Sequence, residues 1–313
     1  MPKVSVIIPT YNRVESLSLA IESVLAQTFQ DFEIVVVDDA PQGYARGAVV
    51  SFDNRRIRYI CHEANKGDAA SRNTGILNSS GDYLAFLDDD DEWLPEKLQM
   101  QVDVLTTSSS QVGGVYTGKL NVDGATGTIS RIYSPERGVN SFDEIFADNP
   151  INTSSILLKK ICFERLGLFD ETMPCSSDYD MWIRICEEFK LQCIKQPLVK
   201  YCVHENGLTY DYAKQIQGLE ILISRYGRFF ALNGKGLCRL YLSLGVFYLY
   251  DGKVERARDF LSRSIKICPS EIRGYFYLFL AFLGERSFRK INGAKEQLTT
   301  IVRRFYPQRI VLG

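Results

Sequence analysis

The feature that most limits how this chain can fold is an alternation of short apolar runs with helix-patterned segments. Val4 to Ile8 is a β-branched run stopped by Pro9, as expected of a buried parallel strand. Residues 14–27 carry Leu17, Ala20, Ile21, Val24 and Leu25 on one helical face. Phe32 to Val37 reads as a second strand and Ile57 to Cys61 as a third. Ala69 to Asn78 reads as a helix closed by Ser79-Ser80-Gly81, and Tyr83 to Leu87 as a fourth strand. Strand and helix in repeated succession imply an α/β domain: a Rossmann-like, mostly parallel sheet with helices on both faces. The Ser-, Gly- and Thr-rich stretch from Thr106 to Arg137 reads as hairpin and loop without chemistry.

In such sheets ligands bind beyond the carboxyl ends of the strands. Those ends carry Pro9-Thr10-Tyr11-Asn12, Asp38-Asp39, and the run Asp88-Asp89-Asp90-Asp91. No G-x-G-x-x-G follows the first strand and no G-x-x-x-x-G-K-[ST] occurs, so neither a dinucleotide fold nor a P-loop is supported. Four adjacent carboxylates repel one another unless a cation sits among them. Mg²⁺ or Mn²⁺, taking one or two carboxylates plus substrate phosphates, suits such a run. An acidic turn that starts the next helix through Asp91 or Glu92 is the plainer alternative, and both can hold at once.

Several blocks in order resemble glycosyltransferase family 2, the inverting group with the GT-A fold: VSVIIPTYNR (4–13), SVLAQTFQDFEIVVVDDA (23–40), NKGDAASRNTGI (65–76) and GDYLAFLDDDDEWLPEKL (81–98). LGLFDETMPCSSDYDMWIRI (166–185) is similar to the family's acceptor-side region. The resemblance implies that Pro9, Thr10 and Tyr11 line the nucleotide pocket, with the Tyr11 ring on the base. Asp39, together with Asp38, would accept from the base edge, and Arg72 would sit beside base or phosphates. Asp88 and Asp89 would face the ribose and sugar, and Asp90 would ligate Mn²⁺ or Mg²⁺. Asp178 aligns with the general base, although Ser177 stands where the family usually has Glu; capping of the helix from Tyr179 is the alternative for Asp178. His204, in a segment similar to the loop over the diphosphate, would complete the metal shell or touch phosphate. The implied reaction moves a sugar from a UDP-sugar to a hydroxyl of a glycan or lipid-linked acceptor, as in bacterial surface-polysaccharide synthesis. A sugar nucleotidyltransferase is the second enzymatic reading, and a non-catalytic nucleotide-binding module the third. PTYNR is a poor phosphate loop, and the intact Asp90 and Asp178 argue against loss of activity.

After Tyr212 the pattern becomes helical and basic, which divides the chain into a GT-A domain over 1–212 and a helical region over 213–313. The latter holds 18 Lys and Arg against 7 Asp and Glu, although the whole chain has a net charge of only -1. Tyr241, Leu244, Gly245, Tyr248, Ala257, Leu261, Ser264 and Pro269 fall at the offsets of one tetratricopeptide-like hairpin. The basic surplus suits an anionic membrane surface or lipid-diphosphate acceptor, or contact with a second copy of the chain. No nucleic-acid motif is present. Eight cysteines without a C-x-x-C, and only two histidines, point to reduced thiols rather than a zinc site. No apolar run approaches the ~20 residues of a membrane span. With Met-Pro-Lys leading straight into a strand, the expected location is the cytoplasm, or the inner face of the plasma membrane as a peripheral protein.

Overall fold

A computed structural model describes residues 3–124, 126–147, 149–203, 211–232, 234–284 and 288. Its strands and helices, in chain order, are β1 (Val4–Thr10), α1 (Val14–Leu25), β2 (Phe32–Asp38), α2 (Arg46–Ser51), β3 (Ile57–Cys61), α3 (Asp68–Leu77), β4 (Tyr83–Phe86) and β5 (Glu92–Trp93). Then come α4 (Lys97–Thr107), β6 (Val112–Asp123), β7 (Ile129–Tyr133), α5 (Phe142–Ala147), a 3₁₀ turn (Thr153–Ser155), β8 (Ile156–Lys159), α6 (Ile161–Leu166), α7 (Ser177–Glu188) and β9 (Lys190–Val203). Helices α8 (Tyr212–Leu232), α9 (Gly234–Tyr250), α10 (Val254–Ile267) and α11 (Ile272–Leu283) follow.

The strands form one sheet in the order β3-β2-β1-β4-β8-β6-β9-β5, with β7 added to β6. β1 runs parallel to β2 and β4, and β2 to β3, so their carboxyl ends share one edge. The register opposes Thr10 to Asp38 and Asp38 to Cys61, which aligns the residues that follow each strand. All seven residues of β1 are buried, because helices cover both faces of a parallel sheet. Pro9 does not end this strand; it pairs with Val37, and the ladder continues to Thr10.

The sheet is mixed beyond β4. β8 runs antiparallel to both β4 and β6, while β6 is parallel to β9. The Gly-rich stretch that reads as hairpin and loop contains β6, which is buried through its first seven residues. Its glycines are packing requirements: a Cβ on Gly114 would lie 2.5 Å from Leu158 Cδ2 and 2.8 Å from the Leu157 carbonyl. Small residues that look like loop composition are here the condition for close strand approach.

Two compact units are distinguished: Met1–Ile145, Asn149–Met173 and Ser177–His204 in one; Phe146–Asp148, Pro174–Ser176 and Glu205–Gly313 in the other. In the second, α9 and α10 pack closely, since a Cβ on Gly245 would fall 2.5 Å from Leu261 Cγ. Leu244, Ala257 and Leu261 are fully buried between them. α11 exposes Ile272, Tyr275, Phe276, Phe279, Phe282 and Leu283, positions that share one helical face. No helix among the described residues is long and apolar enough to cross a membrane. All eight cysteines are free thiols, and burial pushes Cys162 and Cys186 up to about 12.

Candidate active site

The end of β1 presents two rings differently. Pro9 is buried in the strand, whereas Tyr11, one residue past the strand's end, is 49% exposed. At the end of β2 the two aspartates are buried and held in different ways. Asp38 accepts from the amides of Ala40 (3.0 Å) and Ala45 (3.1 Å) and from the Tyr59 hydroxyl (2.7 Å). Those donors make Asp38 the shaper of the turn after β2. Asp39 accepts from the amides of Lys66 and Gly67 at 2.8 Å each, and lies 2.8 Å from His62 Nδ1. The other ring nitrogen of His62 is 2.9 Å from Thr74 Oγ1. Asp39 thereby fixes the entry to α3, the helix that delivers Arg72.

The aspartates after β4 split into two pairs. Asp89 and Asp91 are buried, while the side chains of Asp88 and Asp90 are 30% and 17% exposed. Asp89 accepts from Thr10 Oγ1 (2.7 Å) and from Arg13 Nη1 (3.1 Å). Burial pushes its pKa up to about 6, against the lowering effect of Thr10 and Arg13. The same Arg13 nitrogen donates to Asp90 at 2.6 Å. Asp88 accepts from Arg72 Nη2 at 2.8 Å, and Arg72 also pairs with Asp68 one turn earlier in α3. Burial disfavours the Arg72 charge, but Asp68, Asp88 and Asp178 together hold its pKa above the ordinary value. Asp68 is raised to about 6, with burial outweighing Arg72.

Asp91 does not serve the helix that follows. α4 starts at Lys97, and the Asp91 carboxylate instead accepts from Ser154 Oγ (2.5 Å) and the Cys202 amide (3.0 Å). Burial raises its pKa well above the ordinary carboxylate value. It is a pin between the acidic loop, the 3₁₀ turn and β9.

Asp178 lies in the first turn of α7. Its Oδ1 accepts from the Tyr179 amide (2.8 Å) and its Oδ2 from Thr153 Oγ1 (3.2 Å). A carboxylate in the first turn favours the helix electrostatically. Its charge favours the charged form of Arg72 and disfavours that of Asp68. His204 lies outside the described residues.

Among the described residues no group of three or more His, Cys, Asp or Glu side chains could hold a metal ion unaided. Mg²⁺ and Mn²⁺ commonly need only one or two carboxylates, the rest of the shell being substrate oxygens and water. The hard oxygens of the more open Asp88 and Asp90 fit that donor set. Arg13 is the competing cation on Asp90.

Sequence reading passed over several of these residues. Arg13 stood unremarked inside the PTYNR block, and Asp68 could have been found from its i, i+4 spacing to Arg72. Nothing in the sequence marked Thr153, Ser154 or the contact of His62 with Asp39.

Comparison with known proteins fits this geometry. The model of the family described as Glycosyl transferase family 2 matches residues 5–158. An uncharacterised glycosyltransferase of Methanocaldococcus jannaschii is 32% identical over 209 residues, covering 64% of this chain and 70% of that relative. The chain belongs to glycosyltransferase family 2. An uncharacterised glycosyltransferase of Rickettsia typhi is 28% identical over 316 residues and spans 97% of each chain, helical region included. WfgD of Escherichia coli, a UDP-Glc:alpha-D-GlcNAc-diphosphoundecaprenol beta-1,3-glucosyltransferase, is 26% identical, covering 68% of this chain and 82% of WfgD. Among solved structures, S. aureus TarS 1–349 in complex with UDP-GlcNAc superposes with a TM-score of 0.59 at 17% identity, over 92% of each chain. The mannosyltransferase PcManGT of Pyrobaculum calidifontis, in complex with GDP-Man and Mn²⁺, gives 0.60 at 17% identity, over 98% of this chain and 88% of that one. These likenesses show the GT-A-type α/β fold, with a helical region following the sheet.

Proposed function

We propose that this family 2 enzyme transfers a sugar from a UDP-sugar to a hydroxyl of a lipid-linked or glycan acceptor, with inversion. The observation that carries the reading is the gathering of Tyr11, Asp39, Asp88 and Asp90 at one sheet edge, with Arg72 bonded to Asp88, and with Asp88 and Asp178 both bonded to the Thr153–Ser155 turn. In this reading the Tyr11 ring stacks on the base and Thr10 steadies Asp89 beneath the donor. Arg72 holds Asp88 toward the ribose and sugar. Asp90, with His204 as a further candidate, is the point of attachment for Mn²⁺ or Mg²⁺. When bound, the ion supplies Lewis-acid neutralisation of the departing diphosphate.

Asp178 removes the proton of the acceptor hydroxyl as that oxygen attacks the anomeric carbon. The new C–O bond forms on the face opposite the diphosphate, whose bond to the sugar breaks, and UDP leaves with the electron pair. The proton ends on Asp178. The TarS structure in complex with UDP-GlcNAc and the UDP-Glc in the name of WfgD support a UDP-sugar donor. WfgD's lipid-diphosphate acceptor supports the same acceptor class here.

Residues 1–212 form the catalytic part and 213–313 the accessory part, whose α9–α10 pair has the spacing of one tetratricopeptide-like hairpin. The aromatic face of α11 and the basic surplus suit docking at an anionic membrane, where a lipid-linked acceptor resides. The test of the activity is UDP release from a panel of UDP-sugars in the presence of Mn²⁺. Release from at least one donor is expected. Release from none, with turnover of another nucleotide's sugars, would overturn the UDP assignment.

A further inference from the structure

One turn of 3₁₀ helix touches both halves of the proposed chemistry. Thr153, Ser154 and Ser155 are each at least 96% buried. Ser154 Oγ accepts from the Asp88 amide (3.1 Å) and donates to the Asp91 carboxylate (2.5 Å). One hydroxyl thus fixes both ends of the acidic loop, accepting at one and donating at the other. On the adjoining residue, Thr153 Oγ1 donates to Asp178 Oδ2 (3.2 Å). The turn is itself anchored from behind. Trp93 Nε1 donates to the Ser154 carbonyl (2.8 Å), and Gln101 Nε2 donates to the Ser155 carbonyl (2.8 Å). Gln101 is oriented by Lys97 Nζ at 2.8 Å, a fully buried amine over the Trp93 ring.

We infer that the Thr153–Ser155 turn is the spacer that sets the separation between the donor-holding aspartates and Asp178, with Thr153 the positioning residue for that carboxylate. The inference rests on the proposed role of Asp178 as base. A carboxylate has two oxygens and one freely turning bond to its stem. With Oδ1 committed to the Tyr179 amide, the Thr153 hydroxyl fixes the plane in which Oδ2 meets an acceptor hydroxyl. Small errors in that alignment are costly, because proton removal requires hydrogen-bond reach and near-attack geometry. Because Ser154 is the next residue, a shift at one end of the turn is passed to the other. Its two ends should nevertheless separate kinetically: Thr153 through kcat, Ser154 through donor binding.

The experiment uses the full chain in Mn²⁺ with whichever UDP-sugar of a panel the wild type hydrolyses fastest, comparing T153V, T153S, S154A, D178N and T153V/D178N. T153V keeps the shape and loses the hydroxyl. Its kcat is expected to fall about tenfold, with UDP affinity and donor KM unchanged, as when an interaction specific to the transition state is lost. T153S should restore kcat to within about twofold, since the donor is back. In the D178N background T153V should add no further loss, because residues acting through one group are not additive. S154A should instead weaken UDP binding in calorimetry. Wild-type kcat in T153V, an equal fall in T153S, or a T153V loss that persists in full in D178N would each overturn the inference. Retained turnover in D178N itself would sink the base assignment and leave the turn as scaffold only. Thermal melts separate misfolding from these effects, and T153S keeps the question answerable if T153V does not fold.

Discussion

The sheet edge and the α9–α11 helices of the second unit present charge in opposite ways. At the sheet edge four of the carboxylates are buried and held by named donors: Asp38 by Ala40, Ala45 and Tyr59, Asp39 by Lys66, Gly67 and His62, Asp89 by Thr10 and Arg13, Asp91 by Ser154 and Cys202. Along the helices the distinctive features lie outside, as arginines and as the aromatic face of α11. Arg256 bonds the Tyr248 hydroxyl (3.0 Å), and Arg258 bonds the Ala281 carbonyl (3.0 Å). Buried carboxylates are expensive to keep charged, so each needs partners and its position becomes specific. Exposed cations and rings need little local support and can serve many partners. The first arrangement suits selection of one small ligand, the second a broad surface.

Four substitutions break or sharpen this contrast. The largest effect is expected from D178N, which should lower turnover about 10³-fold, within the range of general-base catalysis, while UDP affinity stays as in the wild type. Steady-state kinetics beside calorimetry read both. D39N comes next. Its amide must face at least one of the donors that Asp39 now accepts from, so unfolding free energy should fall by about 2 kcal/mol together with UDP affinity. Urea unfolding unchanged from the wild type would mean that the Asp39 network contributes little.

K97M probes the buried amine behind the site. Burial holds the Lys97 amine well below the ordinary lysine value. Between its folded pKa and the unfolded value near 10.5, the unfolded chain binds a proton that the folded chain does not, so wild-type stability gains as pH rises. The gap between wild type and K97M should therefore widen in favour of the wild type by up to about 1.4 kcal/mol per pH unit above neutrality. Parallel curves would indicate a charged, compensated lysine. The smallest stability effect belongs to the α11 face. F279S should change stability by no more than about 0.5 kcal/mol, as an exposed site does. It should also weaken sedimentation with phosphatidylglycerol vesicles and leave donor hydrolysis in solution unaltered. Unchanged sedimentation would contradict the membrane role of that face.

How much of this could be read from the sequence follows the same division. The parallel strands β1, β2 and β4 are legible because buried strands are continuous apolar runs, and their polar ends mark the edge; β3, half-buried and carrying Arg58, shows only its β-rich composition. The antiparallel β8 and the buried β6 are not legible. Gly113 and Gly114 look like loop residues, and only the nearness of Leu158 and Phe189 shows why side chains are excluded there. The aspartate run was visible as a unit, but its division into inward Asp89 and Asp91 and more open Asp88 and Asp90 depends on Thr10 and Ser154, which lie far off in the chain. A hydroxyl that bridges two loops leaves no trace in periodicity. For this reason Asp91, which the sequence offers with Glu92 as a start for the next helix, is instead held by Ser154 and the Cys202 amide.

On this account the more open carboxylates at the end of β4, Asp88 and Asp90, bring a divalent cation and a uridine diphosphate together. Isothermal titration of UDP into wild type and D90N, each with and without Mn²⁺, tests it most directly. The wild type should bind UDP more tightly with Mn²⁺, by at least about tenfold, or 1.4 kcal/mol, and D90N should lose that increment. Equal UDP affinity in all four titrations would contradict the account.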